Sequence, residues 1–211
     1  MSARLIIVLA ASAGLLLAIA GVSVLFWMAP IGAPDVVAAA ALAAGSGANV
    51  LYAMAVLVSS VLLAPVLLVL TMRLYSVRPA GALVGVALFG FGLVLECVGT
   101  MGSLARIPVT ARAAAGDPGA LGLFQALTVQ YLATDFAGVA LLYVGGIVYA
   151  GTLWRVHRAT SWMLIASTVL LFLGFAVATL ALPFLAASIV VYGAAYALLG
   201  IVAVRLELVP V

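Results

Sequence analysis

The sequence contains no lysine, one cysteine, one histidine and only five acidic residues. A single cysteine excludes an internal disulfide and a cysteine cluster for a metal ion. A single histidine cannot supply both axial ligands of a haem, and a zinc site would need further His or Cys ligands. We therefore expect no metal or cofactor, and we interpret Cys97 as a small apolar core residue and His157 as a surface residue.

Charge of either sign is scarce. Only 6% of the 211 residues are charged, 69% are hydrophobic, and the mean hydropathy is +1.47. Soluble domains average about 25% charged and about 45–50% apolar residues. The polar residues here are too few to cover a water-soluble globule, so the composition predicts an integral membrane protein. The formal net charge of +3 does not indicate nucleic-acid binding, because the arginines are dispersed rather than arranged in one basic stripe.

Catalytic sequence motifs are also missing. There is no phosphate-binding or dinucleotide-binding glycine loop, and no G-x-S-x-G nucleophile elbow. We predict no catalytic residues, and an enzyme would need unusual chemistry.

Long apolar runs predict an all-α polytopic bundle of about six transmembrane helices, in a single domain over residues 1–211. A span needs about 20 apolar residues, and lipid requires the backbone hydrogen bonds to be satisfied internally. The predicted spans cover residues 5–28, 50–72, 80–102, 129–154, 162–182 and 184–204. The division between the last two depends on a turn at Pro183. The first apolar run is about 24 residues long, against about 7–15 in a signal peptide, so we expect a retained span.

The arginines predict the orientation of these spans. With the N-terminus inside, six of the eight lie on the cytoplasmic side, and only Arg106 and Arg112 lie outside. This distribution follows the positive-inside rule, so both termini are expected in the cytoplasm. Two longer outer loops are then predicted at residues 29–49 and 103–128, and we expect the second to break into short segments. Residues 120–128 are apolar enough to lengthen the fourth helix or to lie along the membrane interface.

Two acidic residues, Glu96 and Asp135, fall inside predicted spans. A carboxylate within a span costs about 2.5–3.5 kcal/mol on insertion scales, so each is a candidate functional residue. Each lies six residues from the outer end of its span, roughly 9 Å deep at 1.5 Å per residue. Antiparallel neighbouring helices would bring them to a similar depth, where two carboxylates can share a proton or bind a cation.

A structural role for this acidic pair is an equally concrete alternative. Either carboxyl group could hydrogen-bond a neighbouring helix and hold the bundle together. Either could also pair with Arg106 or Arg112 from the outer loop. The nearby hydrogen-bonding candidates are Thr100, Gln130, Tyr131 and Thr134.

Short motifs on the inner side give the chain a family resemblance. They are Arg73-Leu74-Tyr75 after the second span, and the run from Tyr149 to Arg155 that leads to Trp162. With six spans in about 210 residues, this pattern resembles the bacterial DUF4386-type membrane proteins, a family without an assigned activity. The resemblance is strongest over residues 50–180 and implies no functional residues. The chain lacks the Pro and Gly expected in the family's last inner turn, between Arg158 and Leu164.

Three classes of function remain. The first is a structural or accessory subunit of a larger membrane assembly, contacting lipids and other subunits or copies of itself. The second is a small proton- or cation-coupled carrier that uses Glu96 and Asp135. The third is a lipid-binding protein or membrane enzyme at the outer leaflet, with Arg106 and Arg112 in a polar cleft. The alanine-rich, lysine-free composition and the lack of a targeting extension indicate a bacterial inner membrane.

Overall fold

Helices joined by short turns make up nearly all of the described part of the chain. The computed structural model describes residues 1–27, 35, 37–38, 40, 47–176 and 181–206, and no strand occurs in these ranges. The six helices are α1 (Ala3–Trp27), α2 (Gly47–Tyr75), α3 (Pro79–Ala114), α4 (Pro118–Leu153), α5 (Arg158–Ala176) and α6 (Ala181–Arg205). The all-α class predicted from composition is confirmed.

Five of these helices, all but α5, are long and apolar enough to cross a membrane. The apolar stretch of α5, Arg158–Gly174, is shorter. Large apolar side chains point away from the bundle: Val61 is 69% exposed, Phe91 68% and Phe172 66%. Such a surface suits contact with lipid chains and would be an aggregation liability in water. The chain is therefore a helical membrane protein; the sixth span and the location of the termini stay predictions.

The prediction that residues 103–128 form a loop of short segments is wrong, whereas the alternative that residues 120–128 lengthen the fourth helix is confirmed. Helices α3 and α4 contain 36 residues each, and together they include nearly all of that segment. Each is about 54 Å long at 1.5 Å per residue, against a hydrocarbon core of about 30 Å. Helix α3 continues through Pro108, which lies in the segment predicted as a loop.

The turn between α3 and α4 explains where the helices end. Gly116 adopts a φ of 82°, a left-handed conformation that glycine takes without strain, and its N–H donates to the carbonyl oxygen of Ala113. Asp117 then caps α4 by accepting hydrogen bonds from the amides of Gly119 and Ala120. Pro118 is the first helical residue, where the absent N–H costs nothing. A three-residue turn thus replaces the predicted loop.

The predicted break at Pro183 is displaced. Helix α5 ends at Ala176 and α6 begins at Ala181, so Pro183 lies in the first turn of α6. The first amides of a helix have no intrahelical acceptor, so a proline there removes no hydrogen bond. Residues 177–180 lie outside the described residues.

Glycines hold two pairs of helices in backbone contact. A Cβ added at Gly193 of α6 would lie 2.5 Å from the carbonyl oxygen of Gly14 in α1. A Cβ added at Gly92 of α3 would lie 2.7 Å from the backbone nitrogen of Leu142 in α4. Both distances are too short for a real side chain, so only glycine allows these approaches. In lipid, such close packing of small residues supplies much of the association between helices.

Aromatic rings and hydroxyl groups join the helices at the centre of the bundle. The rings of Tyr143 and Tyr192 stack with centroids 4.6 Å apart, and Phe89 stacks on Tyr192 at 6.0 Å. The Tyr143 hydroxyl donates to Ser188 Oγ at 2.5 Å, and Ser188 donates to the carbonyl oxygen of Ser167 at 2.7 Å. These bonds connect α4, α6 and α5. Interhelical hydrogen bonds in membranes contribute about 0.6 kcal/mol each on average.

Most of the first predicted outer loop, residues 29–49, lies outside the described residues. Within it, the Asp35 carboxylate accepts a hydrogen bond from the Ala38 amide at 2.7 Å. Ala40 is fully buried in a small apolar cluster with Ala113, Ala120 and Phe124. Ala40 therefore packs near the turn at Gly116 that joins α3 and α4.

Candidate functional site

Glu96 and Asp135 occupy neighbouring positions on two helices in close contact. Glu96 lies on α3 and Asp135 on α4, and each faces a glycine of the other helix. A Cβ added at Gly138 would lie 2.7 Å from the Glu96 backbone nitrogen, and one added at Gly99 would lie 3.1 Å from that of Asp135. The glycines therefore bring the two acidic residues close together.

Both acidic residues line one cavity of about 480 Å³ in the bundle. Helices α1, α2, α3, α4, α5 and α6 all contribute to its wall. The wall is mainly aliphatic, and its polar and aromatic members are Glu96, Asp135, Phe136 and the tyrosines Tyr52, Tyr131, Tyr143, Tyr192 and Tyr196. No arginine or histidine is among these lining residues. The wall of the cavity thus consists of two carboxyl groups among aliphatic and aromatic side chains.

The carboxyl groups have few partners. Glu96 is 7% exposed. Asp135 is hydrogen-bonded by Tyr131, but its Oδ1 atom is buried without any hydrogen-bond partner. A buried oxygen without a donor is costly, and such atoms in native structures often mark a site for a ligand, a water or a proton.

The expected threonine partners do not bind the carboxylates. The Thr100 hydroxyl donates to the backbone carbonyl oxygen of Glu96 at 2.7 Å, not to its side chain. The Thr134 hydroxyl lies 2.9 Å from the carbonyl oxygen of Gln130 and 3.1 Å from that of Tyr131. Of the four predicted hydrogen-bonding candidates, Tyr131 is the one that contacts an acidic side chain through its own side chain.

Neither Arg106 nor Arg112 pairs with Glu96 or Asp135 in the described part of the chain. Arg106 is buried on α3, where it donates to Thr128 and Ser103 at 3.1 Å each and lies 4.8 Å from the Tyr131 ring centroid. Arg112 is 71% exposed and forms an ion pair with Asp117. The two arginines therefore occupy different environments, and the predicted cleft containing both is not formed by these contacts.

Cys97 and His157 lie apart from this cavity wall. Cys97 is half-buried. His157, in the turn between α4 and α5, makes a 2.8 Å hydrogen bond from Nδ1 to Thr160 Oγ1. Partial burial lowers the pKa of His157, and the charge of Arg205 lowers it further. The described residues contain no group of three or more side chains suited to a metal ion.

The convergence of five tyrosines on the acidic pair was not predicted. On α4 the lining residues Tyr131, Asp135, Val139 and Tyr143 recur every four residues, and Tyr192 and Tyr196 do so on α6. Residues spaced by four share one face of a helix. This spacing was available in the sequence as a signal that Asp135 and its tyrosines face one chamber.

No protein-family model, curated protein or solved structure matches this chain. The resemblance to DUF4386-type membrane proteins stays a prediction. Function must therefore be argued from the site itself.

Proposed function

We propose that this protein is a small membrane carrier. Its central cavity holds the transported molecule, and Glu96 and Asp135 bind protons or cations during transport. The observation that carries this proposal is that two acidic residues, from separate helices, line a single cavity inside the bundle. Buried acids of this kind are typical of proton relays and ion pathways.

The chemistry of the pair supports such a role. Two carboxylates in one apolar chamber repel each other, and each loses hydration energy on burial. A proton or cation bound between them relieves both costs. The pair can therefore replace a bound proton by a bound cation, or the reverse, with little change in free energy.

The other two functions have less support. An accessory subunit needs no chamber with paired carboxylates, and no contact among the described residues favours that role over a carrier. An outer-leaflet enzyme would need Arg106 and Arg112 in one cleft, whereas Arg106 packs on the Tyr131 ring and Arg112 pairs with Asp117. Association with other subunits or further copies of the chain is compatible with a carrier.

We further propose six spans with both termini in the cytoplasm of a bacterial plasma membrane. Arg73 donates a hydrogen bond to the carbonyl oxygen of Ala203, which brings the ends of α2 and α6 together. The predicted inner arginines then fall at one end of the bundle, as the positive-inside rule requires.

Proton flux through proteoliposomes tests the proposed carrier. Purified protein is reconstituted with a pH-sensitive dye inside the vesicles, and a pH gradient is imposed. Wild-type protein is expected to raise proton entry above that of protein-free vesicles. Glu96→Gln and Asp135→Asn should abolish the increase in proton entry. A side-chain amide, unlike a carboxyl group, does not take up and release a proton at the pH values of the assay.

Asp117→Asn is the matched control, since it removes an acid outside the cavity while keeping a helix-capping side chain. It should leave the flux unchanged. Flux that persists in both Glu96→Gln and Asp135→Asn, with folding intact by size-exclusion chromatography, would overturn the assignment of these acidic residues.

A further inference from the structure

We propose that the cavity binds a lipophilic organic cation, a molecule with one positive charge and a bulk of about three aromatic rings. This inference rests on the proposed carrier function and names its substrate class. It is argued from the charge, size and aromatic lining of the chamber.

The charge of the wall selects for a cation. Glu96 and Asp135 line the cavity, and no arginine or histidine is among its lining residues. The Oδ1 atom of Asp135 is buried and accepts no hydrogen bond. A cationic ligand would supply the missing partner, whereas an anion would be repelled by the same two carboxylates.

The polarity of the wall does not suit a calcium ion as the main occupant, and its size suits a larger molecule. Calcium takes about 6–8 oxygen ligands, and this wall offers them only through two carboxyl groups and tyrosine hydroxyls. An apolar cavity of about 150 Å³ can bind one benzene molecule. At about 480 Å³ the chamber has room for roughly three such rings, within the range of small-molecule sites.

The tyrosines provide aromatic surface rather than free hydroxyl groups. Tyr192 donates its hydroxyl hydrogen to the carbonyl oxygen of Leu142 at 2.6 Å, and the Tyr143 hydroxyl is bonded to Ser188. Their rings stack 4.6 Å apart, and Tyr196 lies 5.2 Å from Tyr192. Aromatic rings attract cations by about 0.5–2 kcal/mol, more as the site is drier.

Phe136 marks the side from which a lipophilic cation would enter. It contributes to the cavity wall, is 52% exposed and directly follows Asp135 in α4. A cation dissolved in the membrane is expected to reach the acidic pair from this side.

A pair of probe ions of equal size and opposite charge tests the proposal. Binding of methyltriphenylphosphonium and of methyltriphenylborate, each with three phenyl rings, is measured on the full chain in lipid nanodiscs, with empty nanodiscs as the blank. The cation should bind saturably with one site per chain, and the borate anion should not. Glu96→Gln and Asp135→Asn should each weaken cation binding by about tenfold or more, as loss of a buried charge partner does.

Two further variants separate charge from folding. Asp117→Asn should bind like the wild type. Val139→Phe keeps every charge but fills part of the chamber, so it should weaken binding while the protein elutes as a single folded species. Equal binding of both probe ions, or unchanged cation binding in both acid variants, would overturn the proposal.

The outcome is also distinguishable from failure of the carrier function. Charge-selective binding without acid-dependent proton flux would support the binding site and remove the carrier. Acid-dependent flux without cation binding would retain the carrier and overturn the substrate class.

Discussion

Replacement of Gly138 by alanine perturbs the closest approach between α3 and α4 beside the acidic pair. A Cβ at this position would lie 2.7 Å from the Glu96 backbone nitrogen, 3.0 Å from the Gly92 carbonyl oxygen and 3.2 Å from the Glu96 Cα. Ordinary van der Waals contact begins near 3.4 Å. All three atoms belong to the backbone of α3, so no side chain can rotate away and the helices must separate.

Two opposing effects set the size of the change. Overpacking of this kind costs about 1–3 kcal/mol, because it forces backbone shifts. Alanine in place of glycine within a helix returns about 0.5–1 kcal/mol. We expect a net destabilisation of about 1–2 kcal/mol for Gly138→Ala. Because Glu96 would be displaced, this variant should also bind the proposed lipophilic cation more weakly.

Gly151→Ala on the same helix is the matched control, because a Cβ there meets nothing within 4 Å. Only the gain in helix propensity remains, so this variant should be neutral or slightly stabilised. The free energy of unfolding of both variants is measured by reversible unfolding in mixed micelles with increasing SDS. Equal or greater stability of Gly138→Ala relative to Gly151→Ala would refute the close α3–α4 contact that positions Glu96.

Two further predictions concern the ends of the bundle. Hydrogen bonds from Arg112 and from the first-turn amide of Ala120 hold the pKa of Asp117 below its usual range. Its stabilising contribution should therefore be complete above about pH 4 and lost as the pH falls towards the lower folded-state pKa. Hydrogen exchange of the first-turn amides of α4 should show this acid dependence in the wild type, and a similar dependence in Asp117→Asn would contradict it. The proposed orientation is tested by cysteine labelling after Cys97 has been removed. Ala115→Cys should react with a membrane-impermeant maleimide in intact cells, whereas Ser76→Cys should react only after permeabilisation. The reverse pattern would mean that the orientation is inverted.

Sequence reasoning succeeded where composition alone decides. The prediction of helical class followed from long apolar runs, because lipid leaves backbone groups no partner outside the helix. The helix boundaries predicted near prolines were wrong, because the effect of a proline depends on its position within the helix. Pro183 was predicted to lie in a turn but lies in the first turn of α6, and α3 continues through Pro108, where a loop was predicted.

The candidate site was predicted in part. The cost of burying a carboxylate singled out Glu96 and Asp135 from the sequence alone, and whether they act in transport stays a proposal. Of the alternative partners named for them, Tyr131 is hydrogen-bonded to Asp135. Thr100 and Thr134 instead bond a carbonyl of their own preceding turn, as a threonine inside a helix can do. The lining of tyrosines around the two acidic residues was not predicted.

The sequence by itself determined that this protein lies in a membrane and how long most of its apolar segments are. It also determined which two acidic residues within those segments are energetically costly to bury. Only the tertiary structure decided which helix faces meet, and so that Glu96 and Asp135 share one chamber with five tyrosines. The physical reason is that lipid chains are as apolar as leucine, so hydrophobicity does not tell a membrane helix which face to turn inwards. That choice depends on the fit of small residues such as Gly99 and Gly138 against a neighbouring backbone, which exists only once the helices are packed.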